Sequence, residues 1–236
     1  KPADPIIMHP DIRNRLMFSR SVVEAARALA LWTNLQKDLS HKHPDAAERQ
    51  KADDMVGLMT PIVKAASTDF GSEIANTCLQ VFGGHGYIRE HGMEQMVRDV
   101  RISQIYEGTN SIQAMDLVGR KLGLDGGRLF SGWLSEVEAT LKRLDGRNDM
   151  AEFAESLKES VERLKACTQW LFEDAKSDPN ARGAAACDYL RLFALTAYAW
   201  VWTLMAETAL DKKNESDPFY ETKLNVGRYF MRRVLP

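Results

Sequence analysis

Apolar side chains return every three or four residues through most of this chain and almost nowhere alternate. Leu16, Met17, Val22, Val23, Ala26, Leu29, Ala30, Trp32 and Leu35 set the rhythm, which predicts an amphipathic helix over residues 10–39. Pro10 and Asp11 suit its first turn, the acidic side chain lying near the positive end of the helix dipole. After a turn at His41-Lys42-His43-Pro44, a second helix is predicted over 45–82, through Met55, Leu58, Met59, Ile62, Val63, Ala66, Phe70, Ile74, Cys78 and Val81. Pro61 sits inside it and is expected to kink it or to set a boundary near Thr60. Shorter helices are expected over 93–105 and 110–122.

Three glycines in the five residues 123–127, GLDGG, form the clearest linker. Beyond it the rhythm resumes in four stretches, 128–144, 150–177, 181–210 and 217–234, which predict a second helical bundle. In the second of these, Phe153, Leu157, Val161, Leu164, Cys167 and Leu171 trace a narrow packing seam. No strand-like alternation exceeds four residues, so the fold class is all-α: an up-down helical bundle over 1–122 followed by a second bundle over 128–236. The fifteen residues 192–206 carry no charge, but a bilayer needs about twenty, so they predict a central buried helix rather than a membrane span.

Composition changes this picture little. Of 236 residues, 44% are hydrophobic and 27% charged, with a formal net charge of −2, an ordinary globular balance that points away from nucleic acid. Cys78, Cys167 and Cys187 are far apart and form no C-x-x-C pair, which suggests buried reduced thiols and a cytoplasmic location. His41 and His43 lack a third ligand nearby and read as loop residues, so no metal site is assigned. The chain opens on KPADPIIMHP, with no initiator methionine and no signal peptide, as a piece of a longer protein would.

Candidate chemistry concentrates in residues 80–113, QVFGGHGYIREHGMEQMVRDVRISQIYEGTNSIQ. Gly83, Gly84, Gly86 and Gly92 interrupt the helical pattern there, and glycines at a helix end let a ligand approach free backbone groups. This is neither a dinucleotide-binding fingerprint, because a helix precedes it, nor a phosphate-binding P-loop, because the Lys-Ser/Thr is missing. On the residues alone, a plain helix-terminating turn is the better reading. Glu107 lies between Tyr106 and Gly108, just before a helix that Thr109, Asn110 or Ser111 can cap. A carboxylate in a water-poor pocket has a raised pKa and serves as a general base; a loop glutamate that caps the next helix is the other reading. Arg98, Asp99 and Arg101 read as ion pairs that hold the short helix, and Tyr198, Trp200 and Trp202 as core aromatics.

The two motifs QVFGGHGY and MVRDVRISQIYEGTNSIQ resemble the C-terminal helical domain of the acyl-CoA dehydrogenases. The remainder, ending in FYETKLNVGRYFMRRVLP, resembles the extra helical domain of the larger bacterial members, the 3-methylmercaptopropionyl-CoA dehydrogenase-like group. The resemblance implies a flavoenzyme that desaturates an acyl-CoA thioester between its α and β carbons. It places Glu107 as the α-proton-abstracting base, with Tyr106, Glu107 and Gly108 against the substrate and the Glu107 N–H on the thioester carbonyl. It gives Gln80, Val81, Phe82, Gly83 and Gly84 contacts with the FAD of a neighbouring subunit, and Thr109, Asn110 and Ser111 further flavin contacts. FAD as hydride acceptor, an electron-transfer flavoprotein as its oxidant and a homo-oligomer, dimer or tetramer, follow from the same likeness. The family's N-terminal helical and middle β-domains have no counterpart here, so this chain is expected not to turn over by itself. An acyl-CoA oxidase using the same base, and a non-catalytic helical scaffold, are the competing readings.

Overall fold

The computed structural model describes residues 3–212 and 217–236, and no strand occurs among them. Helix α1 (Pro10–Lys42) carries proline in its first turn, and α2 (Ala46–Val81) folds back along it after a short turn. Asp45 caps α2, its carboxylate accepting the Ala47 N–H at 2.7 Å. Of the two outcomes expected at Pro61, a boundary near Thr60 does not occur: α2 continues through it. The penalty for an interior proline is about 3 kcal/mol. Leu58, Met59 and Ile62 around it are fully buried, each contributing about 1.5–3 kcal/mol. Packing wins.

A short α3 (Gly84–Tyr87) and α4 (Met93–Arg101) follow, and α4 returns along α2. The expected 93–105 helix closes instead in a 3-10 turn, Ile102–Gln104. Helix α5 (Asn110–Asp116) runs into a π turn, Leu117–Lys121, which turns Leu117, Val118 and Leu122 inward. Then come α6 (Arg128–Arg143), α7 (Ala151–Glu173), α8 (Pro179–Lys212) and α9 (Pro218–Arg233), close to the stretches expected from the pattern.

Helix α8 is the axis. It touches α1, α2, α5, α7 and α9, and its uncharged stretch is buried from Phe193 to Thr203 apart from the partly covered Leu195. Among the described residues no helix is long and apolar enough to cross a membrane. One core therefore runs from Val22 and Leu29 through Leu58, Phe70 and Trp133 to Leu164, Trp202 and Phe230, on both sides of the 123–127 linker. Among the described residues most of the polar groups it encloses are paired, Trp133 Nε1 and the Tyr198 hydroxyl being exceptions. Trp202 donates to the Ser21 carbonyl at 3.0 Å, Trp200 to the Thr140 hydroxyl at 3.0 Å, and Ser160 meets Thr196 at 2.7 Å.

Three expectations change. The α7 seam passes from Leu164 to Thr168, not Cys167, because the Thr168 hydroxyl meets the buried Tyr189 phenol at 2.6 Å. Cys167 and Cys187 are exposed and Cys78 half-buried, so the thiols are not core groups. Helix α1 is apolar on two sides: Val22, Ala25 and Leu29 face the core, while Leu16, Val23, Leu31 and Leu35 stand exposed.

Lys223 on α9 ties to Glu24 on α1 at 2.6 Å, with Arg20 bonding the same carboxylate at 2.8 Å. Burial pushes the Glu24 carboxyl up, but these two donors outweigh it and hold its pKa below the ordinary value. A pKa lowered by folding stabilises above the unfolded carboxyl's range, and that contribution is lost as the pH falls through the folded value. Lys223→Met is expected to cost about 1–2 kcal/mol at neutral pH, the partly buried counterpart of breaking a buried pair. In thermal melts its deficit should shrink as the pH falls below the ordinary carboxyl range and Glu24 protonates. The same deficit at every pH would assign Lys223 to packing alone.

Candidate active site

Between the 3-10 turn and α5 the chain makes a tight reversal, and two consecutive residues there have left-handed backbones: Glu107 at φ 52° and Gly108 at φ 86°. Glycine adopts this freely, but glutamate does so at a cost of about 1–2 kcal/mol. Such strain persists only where the surroundings hold it. They do so here from three sides. The Lys64 ammonium on α2 donates to the Gly108 carbonyl and to Asn110 Oδ1, both at 2.7 Å. Gln113 Nε2 donates to the Glu107 carbonyl at 3.3 Å. Thr109 caps α5 through its hydroxyl, which accepts the Ile112 N–H.

Asn110 is the bolt between α5 and α2. Its amide nitrogen donates to Asp69 at 2.6 Å and to the Thr68 hydroxyl at 2.9 Å, and Gln104 donates to the same Asp69 carboxylate at 2.6 Å. The site is therefore held by Lys64, Thr68, Asp69, Gln104 and Gln113, none of which the sequence singled out. A signal was present: Lys64, Thr68 and Asp69 are polar yet lie one turn from the buried Ala65, Ala66 and Phe70.

The Glu107 side chain is exposed, where an apolar, water-poor pocket was expected. Such a pocket needs walls on all sides, and this chain provides one: Ile102, Ile105, Tyr106, Ile112 and Met115 all stand open to solvent around the turn. A group of exposed apolar residues of this kind marks a surface made to be covered. Among the described residues the Glu107 N–H has no hydrogen-bond acceptor. Ser111 is exposed beside it, 3.8 Å from the Cys187 thiol of α8.

The glycine turn lies elsewhere. Sixteen residues of α2 separate Lys64 from Gln80, about 24 Å along the helix. Gly83 takes φ 61° and ψ −146°, a conformation that is essentially glycine's alone. Gln80, Phe82, Gly83 and Gly84 are exposed and Val81 is half-buried, and a side chain added at Gly83 or Gly84 would meet nothing within 4 Å. Gly86 is buried, and a Cβ there would come within 2.5 Å of the Leu79 carbonyl. Gly83 and Gly84 thus form an open shoulder beside the exposed Phe82 ring. Thr109 and Ser111 likewise present free surface, whereas the Asn110 amide is spent on α2.

Arg98, Asp99 and Arg101 do hold the short helix, with partners other than one another. Arg98 pairs with Glu94 at 2.7 Å, Asp99 accepts from Gln95, and Arg101 reaches Gln104 at 3.2 Å.

Residues 2–122 match the family model described as acyl-CoA dehydrogenase, C-terminal domain, and residues 133–236 the model described as acetyl-CoA dehydrogenase C-terminal like. Over 99% of its length the chain is 36% identical to 3-methylmercaptopropionyl-CoA dehydrogenase of Ruegeria pomeroyi, of which it covers 40%. Among solved structures, Caenorhabditis elegans ACDH-11 in complex with C11-CoA superposes with a TM-score of 0.69 at 17% identity, over 88% of this chain and 33% of that one. An acyl-CoA dehydrogenase complexed with FAD from Bacillus anthracis superposes at 0.52 and 16% identity, over 95% and 46%. At these identities the structures speak for the fold alone. The chain spans about two fifths of the length of the curated relatives it matches from end to end.

Proposed function

The chain belongs to the acyl-CoA dehydrogenase family, and from that membership we propose that it carries the base and part of the cofactor surface of an enzyme that desaturates acyl-CoA thioesters. The observation that carries this reading is the strained Glu107–Gly108 pair, fixed by Lys64 and Gln113 with its carboxylate left free.

Glu107 takes the proton from the α carbon. The free N–H of Glu107 hydrogen-bonds the thioester carbonyl, which acidifies that proton by stabilising the developing oxyanion. Tyr106 and Gly108 border the acyl group. Covered by the rest of the protein, Ile105, Tyr106, Ile112 and Met115 exclude water and raise the basicity of the carboxylate. When bound, FAD supplies the acceptor for the β-hydride. Gln80, Val81, Phe82, Gly83 and Gly84 would receive it from a neighbouring subunit, in keeping with the about 24 Å of α2 between Gln80 and Lys64, the anchor of the Glu107 turn. Thr109 and Ser111 contact it through side chains, while Asn110 serves through the backbone because its amide is engaged. An electron-transfer flavoprotein would be the electron acceptor for the bound cofactor. The exposed apolar rows of α1 and of the 102–115 turn are covered in a homo-oligomer of the full-length protein, in the cytoplasm. Residues 1–122 hold the site, and 128–236 form the additional bundle that backs it.

The test is optical. The full-length protein is expected to be yellow, and its flavin bands to bleach without oxygen when one member of an acyl-CoA panel is added. The present chain with FAD added is expected to give no acyl-CoA-dependent dye reduction. A full-length protein that neither takes up FAD nor responds to any acyl-CoA would leave the scaffold reading in its place, and peroxide formation would make it an oxidase.

A further inference from the structure

We infer that Lys64 is a positioning residue for proton abstraction, holding the Glu107 turn in its strained form from the middle of α2. This rests on Glu107 being the base. Lys64 is 43 positions from Glu107 in sequence and half-buried, on a stretch of α2 fixed in the core by Ile62, Ala65 and Ala66. Its Nζ makes two bonds of 2.7 Å at once, to the Gly108 carbonyl and to Asn110 Oδ1. Both acceptors are oxygens, so the group between them must bring two donors, and a charged one binds about twice as strongly as a neutral one.

The effect passes through the backbone. With Lys64 on the Gly108 carbonyl and Gln113 on the Glu107 carbonyl, both peptides that follow the Glu107 Cα are fixed in orientation. The lysine bond to Asn110 also sets which way that amide faces, so its nitrogen meets Thr68 and Asp69. Remove Lys64 and the Gly108 peptide is free to rotate. Glu107 then relaxes from φ 52° toward the ordinary negative region, and both its carboxylate and its N–H swing away. Displacement of about 1 Å is enough to cost about 10²-fold in rate.

The experiment uses the full-length protein, with Glu107→Gln as the companion. Lys64→Met keeps the length of the side chain and removes its donors. Its kcat is expected to fall about 10- to 100-fold, with KM for the acyl-CoA within about threefold. The primary deuterium isotope effect at the α carbon should rise, because abstraction becomes the slow step. Flavin content and melting temperature should stay near wild type, and Lys64→Arg should recover most of the lost rate. An unchanged kcat and isotope effect overturns the inference. So does a loss of flavin or of melting temperature that accounts for the lost activity, since Lys64 would then be a stabilising residue only. If Glu107→Gln retains full turnover, the assignment of the base fails and this inference falls with it. If Glu107→Gln is dead while Lys64→Met behaves as wild type, only the role of Lys64 is lost.

Discussion

Replacing Glu107 with glutamine in the full-length protein is expected to lower kcat by about 10²- to 10⁴-fold, the range a positioned general base supplies. The substitution is nearly isosteric. The backbone bonds that hold the turn come from Lys64, Gln113 and the Thr109 cap, none of which uses the Glu107 carboxylate, so the left-handed pair should survive. What disappears is the ability to accept a proton. FAD should still be bound, because the glycine shoulder and the exposed surfaces of Thr109 and Ser111 are untouched. Anaerobic mixing with the preferred acyl-CoA separates the outcomes: a flavin that remains yellow for many wild-type turnovers supports the base, and one that bleaches at an ordinary rate moves the base to another residue. The same variant separates an enzyme from a scaffold, which would be indifferent to it.

The helices were legible in the sequence because a three-four rhythm survives wherever one face is buried, and α6, α7, α8 and α9 lie close to where it placed them. The uncharged 192–206 stretch was legible for the same reason, since a helix buried all round needs no polar face. The rhythm misled where a helix has two apolar sides. On α1, Leu16, Val23 and Leu35 were indistinguishable from Val22 and Leu29, because the pattern records hydrophobicity and not which neighbour covers it. At Pro61 the sequence left a kink and a boundary both open, because a local rule does not weigh the fully buried neighbours that keep the helix continuous.

The site divides along a similar line. Glu107, Gly108 and the glycine turn announced themselves by motif, and their backbone angles supply the physical reason for the glycines. The anchor on α2 did not, because Lys64, Thr68 and Asp69 meet Gly108 and Asn110 across more than forty residues. Nothing in the local pattern encodes a hydrogen bond of that range. Of the apolar pocket expected around Glu107, this chain supplies one row of apolar residues, and they stand exposed.

Trp202→Ala is expected to have the largest effect on stability, about 3–5 kcal/mol. Trp202 is fully buried on α8 and bonds the Ser21 carbonyl of α1, so its loss leaves a cavity and removes a hydrogen bond that ties the two helices. Gly227 of α9 packs against the same indole: a Cβ there would sit 3.0 Å from the Trp202 ring and 3.0 Å from Phe153. For a chain of this size the midpoint of thermal unfolding should fall by about 6–20 °C. Trp170→Ala on the outer face of α7 should move it by about 1–2 °C at most. The consequence for the site follows from what α8 supports. The Tyr198 ring lies 5.8 Å from Phe70, and the Arg191 guanidinium lies over the same phenyl, directly after Asp69. Loosening α8 should therefore loosen the α2 anchor only as the whole core loosens. Well below its lowered midpoint, Trp202→Ala should retain kcat per flavin within a few-fold of wild type, whereas Lys64→Met should not. A Trp202→Ala protein that melts normally would mean that α8 and α1 do not share a core.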